Sequence, residues 1–170
     1  MRSLSALALT MLIPMGASAQ EAVVDWPALE QRTAQLEQAE PSCSNAEAAT
    51  ETNDAVAAMY TELQVPLSHP GVTAEDFTTR VRATVLMRRV AQAGSLQLLA
   101  LERCCLECSS FSTWQLDAMR QSMEKVLLSE IDQALTELGA DPTRRLCNLL
   151  PDEVSQQRAV CGGETPGTDG

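Results

Sequence analysis

The chain has 170 residues, with 12 basic against 23 acidic side chains and a net charge of −11. Phosphate binding needs local positive charge, so this balance excludes nucleic acid as a partner and disfavours anionic membrane surfaces. Aromatic residues are scarce (Trp26, Tyr60, Phe77, Phe111 and Trp114) while alanine, leucine, glutamine and glutamate abound, a composition that favours helices over strands.

Residues 1–19 read as a secretory signal peptide. Arg2 supplies the basic start, Leu4–Met15 the apolar run, and Ala17-Ser18-Ala19 the small-residue cleavage site. The run is shorter than the roughly 20 residues a spanning helix requires, so no stable membrane insertion is expected after cleavage. Cleavage before Gln20 leaves 151 residues and, with Arg2 gone, a net charge of −12. That length fits one domain with its own core, expected over 20–161, followed by a disordered tail at 162–170.

Four helices are predicted in chain order. "DWPALEQRTAQLEQAE" carries Asp25 as a cap, Pro27 in the first turn and a thin apolar face of Leu29, Thr33, Leu36 and Ala39, with Pro41 beyond its end. The second starts at "SNAE", where Ser44 and Glu47 have capping-box spacing, and Pro66 is expected to stop it. The third starts at "TAED", where Thr73 and Asp76 repeat that spacing. It runs through Phe77, Val81, Val85, Val90 and Ala93, and Gly94 is expected to weaken its middle. The fourth starts near Ser112 and Gln115. Its stripe of Leu116, Met119, Met123, Leu127, Ile131, Ala134 and Leu138 recurs at steps of three and four, and Gly139 ends it. One or two short helical turns are expected beyond. Short connections between amphipathic helices favour antiparallel neighbours. The expected fold is therefore all-α, a disulfide-stapled antiparallel bundle of about four helices, with the third and fourth as its central hairpin.

Six cysteines, Cys43, Cys104, Cys105, Cys108, Cys147 and Cys161, follow the export signal. An even count in that context points to disulfides, and six cysteines allow 15 connectivities. If the second and third helices are antiparallel, Cys43 and the "CCLEC" cluster share one end of the bundle and a bridge between them is natural. Cys147 and Cys161 follow the fourth helix and lie at the other end. They either close a local loop around Pro151 or let the tail run back, since fourteen extended residues span about 45 Å. The local pairing is favoured, and an inner bridge at Cys105–Cys108 or Cys104–Cys108 then completes the set.

Sharper chemistry for "CCLEC" fares less well. A c-type haem needs Cys-x-x-Cys-His, but Ser109 follows Cys108 and the one histidine, His69, is remote. A zinc site completed by Cys43 or His69 would need free thiolates in an oxidising compartment. A redox pair of Cys105 and Cys108 has the right spacing. It sits at a helix C-terminus, however, where the dipole opposes thiolate formation, and Glu102 and Glu107 outweigh Arg103 nearby.

"RVRATVLMRR" places Arg80, Arg82, Arg88 and Arg89 beside the apolar face of the third helix. They either pair with glutamates of neighbouring helices or form a docking patch for an acidic partner. Met119 and Met123, with Met87, have the softness for copper(I), but their spacing on an apolar stripe is that of a core. His69 in "SHPG" is a loop residue without a nucleophile to serve. "STWQ" reads as a cap.

No catalytic residue, cofactor site or metal site emerges. The expected protein is exported, secreted or bacterial periplasmic. Its expected role is non-catalytic, binding a protein partner or serving as an accessory subunit. The alternatives are a thiol–disulfide redox protein using Cys105 and Cys108, and a carrier of a small ligand or metal between the helices.

Overall fold

The structure is a computed structural model and describes residues 24–39, 46–102 and 113–162. The predicted signal peptide at 1–19, Cys43, Ser44, Cys104, Cys105, Cys108, Ser112 and all of the 162–170 tail except Gly162 lie outside those residues. The described residues are all-α, with no strand among them. Four long helices, α1 (Trp26–Gln38), α2 (Ala46–Leu67), α3 (Ala74–Glu102) and α4 (Thr113–Leu138), precede the short α5 (Ala140–Leu146) and α6 (Asp152–Ser155). Two 3-10 turns, Cys147–Leu149 and Ala159–Cys161, flank α6.

Local chemistry sets most of these boundaries. Asp25 caps α1, its Oδ1 accepting from the Ala28 amide at 3.1 Å, and Pro27 sits in the first turn, where its missing N–H costs nothing. The α3 cap is reciprocal: the Thr73 amide donates to Asp76 Oδ2 at 2.8 Å and the Asp76 amide donates to Thr73 Oγ1 at 3.2 Å. Gly139 takes φ 85° to end α4, and its carbonyl then accepts from the Thr143 hydroxyl in the first turn of α5.

One sequence expectation is corrected, at Pro66, and Gly94 gains a packing role. Pro66 does not stop α2, which continues to Leu67 and closes where the Ser68 hydroxyl and amide donate to Val65 O. In the last turn the proline forfeits only one helical bond. Gly94 does not interrupt α3, which runs 29 residues, about 44 Å at 1.5 Å per residue. A Cβ at Gly94 would lie 2.9 Å from Val56 Cγ2 and 3.3 Å from Leu116 Cδ1. The glycine marks where α2 and α4 close against the α3 backbone.

α3 is the central element, packed by α1, α2, α4 and the segment after α4. The second half of α3 meets the start of α4 through Leu98 and Leu116, and its first half meets the end of α4 through Phe77 and Ile131. The two are therefore antiparallel. α2 is antiparallel to α3 as well, since Val56 lies at Gly94 while the Leu67 carbonyl accepts from Arg80. The core has two parts. One gathers Leu29 and Leu36 of α1, Met59 and Leu63 of α2, Met87 and Val90 of α3, and Leu116. The other lies at the opposite end, where Leu146, Leu150 and Val154 cover Phe77, Val81, Leu127 and Ile131. Of the predicted α4 stripe, Leu116, Met123, Leu127, Ile131 and Ala134 are buried, and Met119 and Leu138 are partly buried.

Candidate functional site

Cys147 and Cys161 form a disulfide, with Cα atoms 5.4 Å apart and a sequence separation of 14. This is the local pairing favoured from sequence. The bridge closes a loop that carries Leu150 and Val154, both buried in the second core cluster. Its structural effect is to hold that cluster's cover in place. Cys43, Cys104, Cys105 and Cys108 lie outside the described residues.

The four arginines of α3 are not brought together. They divide between two flanks of the helix, and each meets a carboxylate of another element. On the α1 side, Arg82 donates to Glu30 Oε1 at 3.0 Å through Nε, with its guanidinium 4.8 Å from the centre of the Trp26 ring. One heptad on, Arg89 forms two parallel bonds to Glu37, at 2.8 and 2.7 Å. On the α4 side, Arg80 grips both oxygens of Glu130 and donates to the carbonyls of Leu67 and His69, closing the end of α2. Arg88 donates to Glu124 and to Glu153 of α6.

The electrostatics follow the pairing. The hydrogen bonds it donates to Glu130 raise Arg80, and those to Glu37 raise Arg89. Both cations thus stay charged. Asp76 is held below the usual carboxylate range by the backbone and hydroxyl of Thr73 and by the Val72 amide. Among the described residues no group of three or more histidine, cysteine or acidic side chains is placed to hold a metal. Met87 and Met123 are buried and Met119 is partly buried, all packed within the first core cluster. His69 lines an open groove with Pro66, Pro70, Val72 and Glu75.

Two features escape the sequence reading. Trp114, which looks like part of a cap, is 76% exposed, and Leu96 and Leu99 are 60% and 40% exposed. The antiparallel hairpin puts all three at the same end of the bundle. Leu96 also borders a groove between α1 and α3 with Leu36 and Ala93. The sequence signal for Trp114 was a tryptophan in the first helical turn, off the Leu116–Leu127 stripe. The second feature is Arg145 of α5. Eight of the nine arginines in the described residues meet a carboxylate, and Arg145 is the exception. Nothing in its sequence context distinguishes it from Arg144, which reaches Asp141 one turn earlier.

No family model, no curated protein and no solved structure matches this chain.

Proposed function

We propose that this is an exported helical-bundle protein with a non-catalytic role, binding a protein partner as an adaptor or accessory subunit. The observation that carries the reading is the exposure of Trp114, with Leu96 and Leu99, at one end of the hairpin. A tryptophan held on a rigid helix offers a large apolar surface at low entropic cost, and tryptophans are enriched among the anchors of protein interfaces. The arginine pairs tie the helices of the scaffold behind it to one another. Export to an oxidising compartment, secreted or periplasmic, is supported by the leader-like residues 1–19 and by the Cys147–Cys161 bridge. Among the described residues no helix is long and apolar enough to cross a membrane.

The test places a photo-crosslinking side chain at Trp114 and, separately, at Leu135, which is also exposed but lies far along α4. One discrete protein adduct at 114 and none at 135 supports the reading. Equal labelling at both positions, or none, counts against it. Reduction of insulin disulfides by the purified protein, lost in Cys105→Ser, would overturn the non-catalytic role.

A further inference from the structure

The other end of the bundle carries two adjoining open grooves that share Glu75 as the ridge between them. One, of about 490 Å³, is lined by Pro66 in the last turn of α2 and by Pro70 and Val72 of the α2–α3 connection. The other, of about 570 Å³, runs between the start of α3 and α5, over Ala74, Thr78, Pro142, Leu146 and Leu149. Val72 is 66% exposed and Leu149 37%. Arg145 stands on the α5 wall of the second groove and Glu75 on its α3 wall. Both are exposed, and neither has an ion-pair partner among the described residues. Asp141 also borders this groove but is met by Arg144 at 3.6 Å.

An apolar floor with one unmatched cation on one wall and one unmatched anion on the other is complementary to itself. A two-fold axis through the groove lays α5 of one copy over α3 of another. It brings each Arg145 to the other copy's Glu75, so both orphan charges are satisfied by one operation. We propose that this face binds a second copy of the same chain, forming a symmetric dimer through the α3 and α5 groove. A stable dimer buries roughly 800 Å² on each copy, so the contact takes in both grooves and covers Val72 and Leu149. Each chain carries a net charge of −11, but at physiological salt charges beyond about 8 Å are screened. The matched pairs at the face then outweigh the overall repulsion. This surface lies at the opposite end from Trp114, so the inference stands apart from the proposed binding role.

The test is sedimentation of the full exported protein over a hundredfold concentration range at physiological salt, with charge-swap variants. The expected result is a concentration-dependent shift from monomer to twice the monomer mass. Arg145→Glu and Glu75→Arg should each weaken association at least tenfold, since each places like charges across the axis. An equimolar mixture of the two variants should recover association, because the mixed pair restores opposite charges at both contacts. That recovery also shows that both variants are folded. A monomer throughout the range overturns the proposal and leaves the face to a different partner. A dimer that neither swap weakens, or that mixing does not restore, overturns it equally.

Discussion

Arg88 of α3 donates through Nη2 to Glu153 of α6, 65 residues further along the chain. The arginine is 7% exposed, and its second carboxylate partner, Glu124, is shared with Arg120 on α4. One buried guanidinium therefore ties the central helix, its antiparallel neighbour and the covering segment together. Its aliphatic stem packs where its charge is matched, so removal costs packing as well as pairing. Arg88→Ala is expected to lower stability by about 1–3 kcal/mol, less than a stranded buried charge would cost, because both glutamates keep some access to water. Arg88→Met, which keeps the stem, should recover part of that loss. Urea midpoints of the two variants check the order, and Met as costly as Ala would contradict it.

Gly94 is where helix propensity and packing disagree. In an exposed helix interior, Gly→Ala stabilises by about 1 kcal/mol. Here the added methyl meets Val56 Cγ2 at 2.9 Å, on a short branched side chain with little room to turn. Gly94→Ala is expected to destabilise by about 1–3 kcal/mol through overpacking. In Val56→Ala the nearer obstacle is gone, leaving Leu116 Cδ1 at 3.3 Å, and the same change should cost clearly less. A double-mutant cycle by thermal or urea unfolding measures the coupling, and additive effects would show that the close approach is unimportant.

The Cys147–Cys161 bridge spans a loop for which the chain-entropy argument gives about 3 kcal/mol. Cys147→Ser with Cys161→Ser is expected to lose up to that amount. Hydrogen exchange should report the loss first at Leu150 and Val154, with α2 unaffected until global unfolding. Uniform loss of protection across the bundle would instead mean that the covering segment and the bundle unfold as one unit.

Acid should destabilise the protein through three carboxylates. The hydrogen bond from Arg32 lowers Glu62, the cap at Thr73 lowers Asp76, and a bond from its own backbone amide, with Arg88 nearby, lowers Glu153. Each returns to its ordinary value on unfolding. A carboxyl depressed in the folded state contributes stability that is fully present above its unfolded pKa and is lost as pH falls through the folded value. The melting temperature is thus expected to be level from pH 7 to about 5 and to fall below about 4. Asp76→Asn removes one titrating group and should make that fall shallower. An identical acid limb in the variant would take the α3 cap out of the account.

The elements legible in sequence were those decided locally. Thr73 and Asp76 sit three residues apart, and that spacing alone specifies a reciprocal cap. The Leu116–Ala134 stripe specifies a buried face whatever it packs against. Gly94 was legible as a weak helix former, but its packing role depends on Val56, nearly forty residues earlier, and a single helix carries no trace of its neighbour's distance. Pro66 was misread because a proline in a last turn and a proline after it differ by one lost hydrogen bond. The arginines were legible as pairing residues, but their split into two flanks needed the placement of α1 and α4. Trp114 and Arg145 are marked by what they do not touch, which no spacing encodes.

The α1–α3 ladder also determines how the helix can be misplaced. Glu30 and Glu37 meet Arg82 and Arg89 with the same offset of 52 residues. Because the two helices are parallel and share a heptad spacing, a slide by one heptad is the nearest rival arrangement. Sliding α1 toward the end of α3 would pair Glu30 with Arg89 but press Glu37 against Leu96. Sliding it the other way would pair Glu37 with Arg82 but drive Glu30 onto Glu75. Each displaced docking keeps one attraction and acquires a penalty, apolar in one direction and coulombic in the other. The ladder acts as a vernier with a single coincident mark, and a chain folding for the first time has only one place to set its first helix down.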